Sequence, residues 1–312
     1  MSLLDRQLLF VTGKGGVGKT SIAAGLALLA ADSGKRTLLC EVDAKGDVAS
    51  AFESGELTFT PREVESNLFA MVMDTEESLK EYLRLNLRVP LVARIGPLAR
   101  SFDFVASAAP GVREILIVGK LAYEVREQNY DIVIVDSPAT GHVVGQLASP
   151  AAIHELVRVG MVREQTAWML DLLHDPSVTG TAIVAVPEEM PVTETIELST
   201  RLAAETDVDL AGVVVNRVLP ELFGTREEAV FRRLLDRGPS EYLRAEVGPA
   251  VDSVLEGADL AVRLRRSRAS HIARLRDELP PGTPMLIVPE LFTKATGIRA
   301  TRMLAEALGD EL

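Results

Sequence analysis

The segment Gly13-Lys14-Gly15-Gly16-Val17-Gly18-Lys19-Thr20 fits G-x-x-x-x-G-K-[ST], the pattern of a loop that cradles phosphates. Glycines let backbone N–H groups turn inward around an anion, and the helix after the loop adds the positive end of its dipole. Lys19 is expected to reach the outer phosphates of a polyphosphate, and the Thr20 hydroxyl to ligate Mg²⁺. Ser21 follows on the same helix. The motif has its proper setting: Gln7 to Thr12 reads as a short apolar strand, and Ser21 to Ala31 as an Ala/Leu-rich helix. That context argues against a chance glycine turn. Lys14 is a second charge inside the loop. Placed against a transferring phosphate it would stabilise charge; otherwise it is a solvated loop lysine.

Three further positions carry chemistry at strand ends. Asp43 follows the run Thr37–Val42. An acid there can hold an attacking water and accept its proton, or it can cap the next helix; position alone leaves both readings open. Asp136 ends the apolar run Ile132-Val133-Ile134-Val135, as a Mg²⁺-linked acid of Walker B type would. Gly141 would let the loop after it move with the outer phosphate. Asn216 ends Val213-Val214-Val215 and leads into Arg217; its amide both donates and accepts, which suits the edge of a nucleobase. The later Val288-Pro289-Glu290-Leu291-Phe292 could give the same base an apolar wall.

These residues need a scaffold that brings strand ends together. Seven apolar runs read as strands: 8–12, 37–42, 68–73, 132–136, 182–186, 213–216 and 285–288. Most are continuous and β-branched, as in strands covered on both faces, and helical patterns separate them. The expectation is an α/β fold, a doubly wound and mostly parallel sheet, in a single domain over 1–312. Two helical stretches, around 76–128 and 143–173, exceed what a crossover needs. Their apolar stripes are core, or a partner surface above the phosphate site. Residues 249–279 read as a further helix with an arginine-rich face, a solvated or ion-paired feature on an acidic chain.

Composition narrows the class. The 312 residues carry 45 Asp plus Glu against 33 Lys plus Arg, a net charge of −12. That argues against a basic footprint for nucleic acid or anionic lipid. The single cysteine, Cys40, falls in an apolar strand and reads as a small buried hydrophobe. No run reaches membrane-spanning length, and the first strand begins with no leader-like segment before it, so a soluble cytoplasmic chain is expected.

Taken together, G-K-G-G-V-G-K-T at 13–20, D-S-P-A-T-G-H at 136–142, V-V-V-N-R at 213–217 and V-P-E-L-F at 288–292 resemble the arsenical-pump ATPase (ArsA) / guided-entry tail-anchored-protein-targeting ATPase family. Pro110-Gly111 ahead of a helix also resembles it, and overall similarity points to its actinobacterial paired branch. The loop resembles the deviant Walker A form, in which the extra lysine crosses a dimer interface to the partner's nucleotide. The resemblance therefore implies ATP, Mg²⁺, a homodimer or a heterodimer with a paralogue, and a hydrophobic or membrane-protein client. It assigns Lys14 the trans role, with Lys19, to the catalytic set. Asp43 becomes the water-activating acid, and Thr20 and Asp136 the Mg²⁺ residues. Gly13, Gly15, Gly16, Val17, Gly18 and Ser21 bind phosphate, Glu188 reaches nucleotide across the dimer, and Asn216, Arg217 and Pro289 form the adenine pocket.

The sequence also departs from the family. Switch I usually reads D-P-A-H-N; here Asp43-Ala44-Lys45-Gly46-Asp47 keeps the acid alone. This leaves open a nucleotide-binding structural subunit that pairs with a paralogue and barely hydrolyses. An arsenite-pump motor is the other alternative, set against by the absence of a cysteine cluster. No C-x-x-C pair is present to clip a dimer on zinc.

Overall fold

The computed structural model describes residues 2–43, 45–87 and 111–312. Pro110, and residues 88–110 of the long helical stretch expected from the sequence, lie outside them. The described strands are β1 Leu8–Gly13, β2 Thr37–Glu41, β3 Arg62–Glu65, β4 Leu68–Val72, β5 Ile132–Asp136, β6 Thr179–Ala185, β7 Leu210–Val218 and β8 Met285–Pro289. The described helices are α1 Lys19–Asp32, α2 Asp47–Ala51, α3 Thr75–Leu87, α4 Val112–Arg126, α5 Thr140–Leu156 and α6 Met161–His174, then α7 Glu189–Glu205, α8 Thr225–Leu234, α9 Arg237–Val247, α10 Ala250–Glu278 and α11 Gly297–Gly309.

The strands form one sheet in the order β3-β4-β2-β5-β1-β6-β7-β8. Every pairing is parallel except that of β3 with β4. All seven expected strands are present. β3 was not foreseen: Arg-Glu-Val-Glu is polar, and only an edge strand can show such a face to water. Period-two alternation splits each apolar strand between two cores. Leu9, Val11, Leu39, Ile132, Ile134, Ala182 and Val184 pack with α1 and α11 on one face. Leu8, Phe10, Leu38, Cys40, Val133, Val135 and Ile183 pack with α4, α5 and α7 on the other. Phe10, Leu8 and Leu9 are fully buried, each stabilising by about 1.5–3 kcal/mol.

From β1 the sheet extends through β5, β2 and β4 on one side, and through β6, β7 and β8 on the other. Strand order thus diverges at β1, and a crevice opens at its carboxyl end. The 143–173 stretch is two helices, α5 and α6, broken by residues 157–160, where Gly160 takes a φ of 94°. The arginine-rich helix is present as α10. α8 and α9 precede it and were not foreseen, being short and highly charged. Among the described residues, no helix is long and apolar enough to cross a membrane.

Candidate active site at the carboxyl ends of the strands

β1 ends on Gly13, and α1 begins at Lys19 with Gly18 as its N-cap. Gly18 takes a φ of 94°, a left-handed conformation that a side chain resists. A Cβ there would also sit 2.5 Å from the Asn216 Nδ2. That amide nitrogen donates to the Val17 carbonyl at 2.9 Å, so β7 holds the loop from behind. Asn216 Oδ1 accepts from the backbone N–H of Arg217 at 2.9 Å, stabilising the left-handed turn there, where φ is 57°.

The loop opens onto a cavity of about 700 Å³. Gly15, Gly16, Gly18, Lys19, Thr20, Ser21, Asp43 and Asp136 line it, as do Asn216, Arg217, Pro289, Leu291 and Leu304. Val17 instead inserts its side chain into the core. The Lys19 ammonium donates to the Lys14 carbonyl at 3.4 Å. Burial holds its pKa below the usual lysine range, with Asp136 pulling the other way.

Asp136 is 7% exposed. Its Oδ2 accepts from the Thr20 hydroxyl at 2.6 Å, while its Oδ1 is buried without a partner. Burial pushes its pKa up to about 6, against the opposing Thr20 bond and Lys19 charge. A buried acid with an orphaned oxygen beside a hydroxyl is a hard-oxygen donor set, which fits Mg²⁺. The loop after it is tied down, as Thr12 Oγ1 donates to the Pro138 carbonyl at 3.0 Å. Gly141 does not lie in that loop, as its expected hinge role requires; it falls in the first turn of α5, which starts at Thr140.

Asp43 lines the cavity half-buried, its carboxylate 3.8 Å from the Lys45 ammonium. It does not cap the next helix: the N-cap of α2 is Gly46. Glu41 is the residue that sequence reasoning missed. It is 1% exposed and lines the same cavity. The signal was its charge at the last position of a strand whose other four residues are uncharged and buried.

Four expected site residues do not line this cavity: Gly13, which ends β1, Val17, which faces the core, and Lys14 and Glu188. The Lys14 ammonium pairs with Glu194 of α7 at 2.6 Å. Glu188, the exposed residue before α7, stands 3.6 Å from Arg268 of α10.

A sequence model of the family described as anion-transporting ATPase matches residues 6–170 and 159–233. ATPase BagA of Mycobacterium tuberculosis is 33% identical over 225 residues, which cover 69% of this chain and 66% of that protein. The chain thus spans about two thirds of that relative's length. ATPase ARSA2 of Chlamydomonas reinhardtii is 28% identical over 261 residues, 69% of each chain. The ATPase ASNA1 homolog of Plasmodium falciparum is 22% identical over a 335-residue alignment, covering 96% of this chain and 86% of its own.

Proposed function

The chain belongs to the anion-transporting ATPase family, and from that premise we propose that it binds ATP with Mg²⁺ at the carboxyl end of β1 and hydrolyses it to ADP and phosphate. The observation that carries the reading is the Thr20–Asp136 pair, with its orphaned oxygen, beside the phosphate loop. The loop amides and Lys19 hold the β- and γ-phosphates. Thr20 and Asp136 hold the cation. Mg²⁺, when bound, neutralises charge on the phosphate oxygens. Asp43 orients a water and takes its proton as the water oxygen attacks the γ-phosphorus and the bond to the ADP oxygen breaks. Asn216, Arg217 and Pro289 hold the adenine end.

The working unit in this reading is a dimer, in which Lys14 and Glu188 serve the partner's nucleotide. Their lying outside their own chain's cavity supports it. One sheet carrying all the described strands supports reading residues 1–312 as one ATPase unit, with helical additions over 76–128 and 143–173. The job of the switch is the targeting or handling of a hydrophobic or membrane-protein client in the cytoplasm. Two features support a client surface: exposed Leu156 and Val159 at the tip of α5, and an apolar cleft of about 480 Å³ lined by Leu79, Tyr82, Leu116, Trp168 and Met169. A motor for an arsenite pump fits less well, because metalloid capture needs several thiolates and Cys40 is alone and buried.

A second reading is a nucleotide-binding subunit with little turnover. Lys45 favours it, because its ammonium lies close enough to Asp43 to compete with water for the carboxylate. ATP affinity with and without Mg²⁺, and turnover of the purified chain, separate the readings. Mg²⁺-dependent binding with steady phosphate release supports the ATPase. Binding without release supports the subunit. No binding contradicts both.

A further inference from the structure

β2 ends on a buried charge. Glu41 is the register partner of Asp136 on the neighbouring β5, so two acids stand side by side at the floor of the cleft. The two oxygens of Glu41 differ in their surroundings. Oε1 accepts from the backbone N–H of Lys45 at 3.1 Å and from that of Asp47 at 3.2 Å. Oε2 is buried with no hydrogen-bond partner, although the residue lines the cavity.

An ionised carboxylate at the end of a buried strand is costly unless its lone pairs are filled. Oε1 fills its own by gripping the loop that follows Asp43. Oε2 requires a donor from outside the chain. Phosphate oxygens at neutral pH offer acceptors and like charge, so they cannot supply it. Water can, and Mg²⁺ keeps several of its waters when it binds through one or two protein ligands.

We infer that Glu41 is a positioning residue with one oxygen for the loop and one for the cation's water shell: Oε1 fixes residues 45–47 to β2, and Oε2 accepts a hydrogen bond from a water carried in with Mg²⁺. The arrival of the metal and the placement of Asp43 are then coupled through one carboxylate. This rests on the reading of the cleft as a Mg²⁺–ATP site.

Glu41→Gln and Glu41→Ala separate the two oxygens. The glutamine keeps a carbonyl oxygen for the two loop amides but puts a donor where Oε2 accepts; the alanine removes both. In nucleotide-free protein, backbone amide exchange at Lys45 and Asp47 is expected to stay within about twofold of wild type in Glu41→Gln and to rise about tenfold or more in Glu41→Ala. The factor by which Mg²⁺ raises ATP affinity, measured against ATP in excess EDTA, is expected to fall about tenfold in Glu41→Gln. ATP affinity in EDTA is expected not to fall. A wild-type Mg²⁺ factor in Glu41→Gln would overturn the water assignment, and unchanged exchange in Glu41→Ala would overturn the loop tie. If the alanine variant does not fold, Glu41→Gln still decides the first point, and exchange at Lys45 and Asp47 in nucleotide-free wild type as fast as that of unprotected amides would overturn the second. A wild-type chain that binds no Mg²⁺–ATP would contradict the proposed function itself, a result distinct from an altered variant beside a normal wild type.

Discussion

At the scale of residues, the cleft sets Lys19, Lys45 and Arg217 against five acids, Glu41, Asp43, Asp47, Asp136 and Glu290. Lys19 is the cation that the glycine-rich loop itself contributes to the lining. Replacing it with alanine is expected to weaken ATP binding by about tenfold to a hundredfold, the worth of a charge-assisted contact with phosphate; calorimetric titration measures this, and an unchanged affinity would remove Lys19 from the site. Asp43→Asn removes a proton acceptor and leaves the phosphate contacts alone. Single-turnover phosphate release is expected to slow by about a hundredfold or more with ATP affinity held. A wild-type rate would leave Asp43 no part in the chemistry. Cys40 is fully buried, and burial drives its thiol well above the ordinary thiol range. In the native protein it is expected to resist alkylation at pH 8, and to react only on unfolding, because the thiolate is the reactive form. Arsenite is expected not to raise ATPase activity through it; a stimulation abolished by Cys40→Ser would refute this.

At the scale of elements, the apolar strands were legible because burial on both faces leaves a continuous β-branched run that no surface element shows. The phosphate loop was legible because its glycines and lysine have a fixed spacing. β3, α8 and α9 were not, because each is short and rich in charge and lies largely at the surface. Asn216 was legible as a site residue, but not in its structural task. Its bond to the Val17 carbonyl joins β7 to the loop across 199 residues of sequence, and spacing along the chain does not report such a contact. Glu41 was hidden for a related reason: its partners are backbone amides, which every residue has. Asn216→Ala leaves the buried Val17 carbonyl without its donor and is expected to destabilise the fold by about 1–3 kcal/mol while raising the KM for ATP. Denaturant titration and initial rates check this. A variant with wild-type stability and KM would mean that the loop does not depend on β7.

At the scale of the whole molecule, the acidic chain presents a cleft at the carboxyl ends of its strands and apolar surface at the end of α5. A switch that links them needs the cleft to sense a partner, and Lys14 is the residue placed to do so. It lies in the glycine-rich loop, yet its ammonium pairs with Glu194, and neither residue lines the cavity. Supplied across a two-fold interface, it would complete the neighbouring site and make hydrolysis depend on assembly. The most direct measurement mixes Lys14→Ala protein with Asp43→Asn protein, each inactive alone, after exchange of subunits has been verified. In a mixed dimer one site has its own Asp43 and the partner's Lys14, and the other lacks both. An equal mixture is therefore expected to regain roughly a quarter of wild-type ATP turnover, since half of the dimers are mixed and each has one whole site. Turnover that stays at the level of the separate variants would contradict a lysine acting across the dimer.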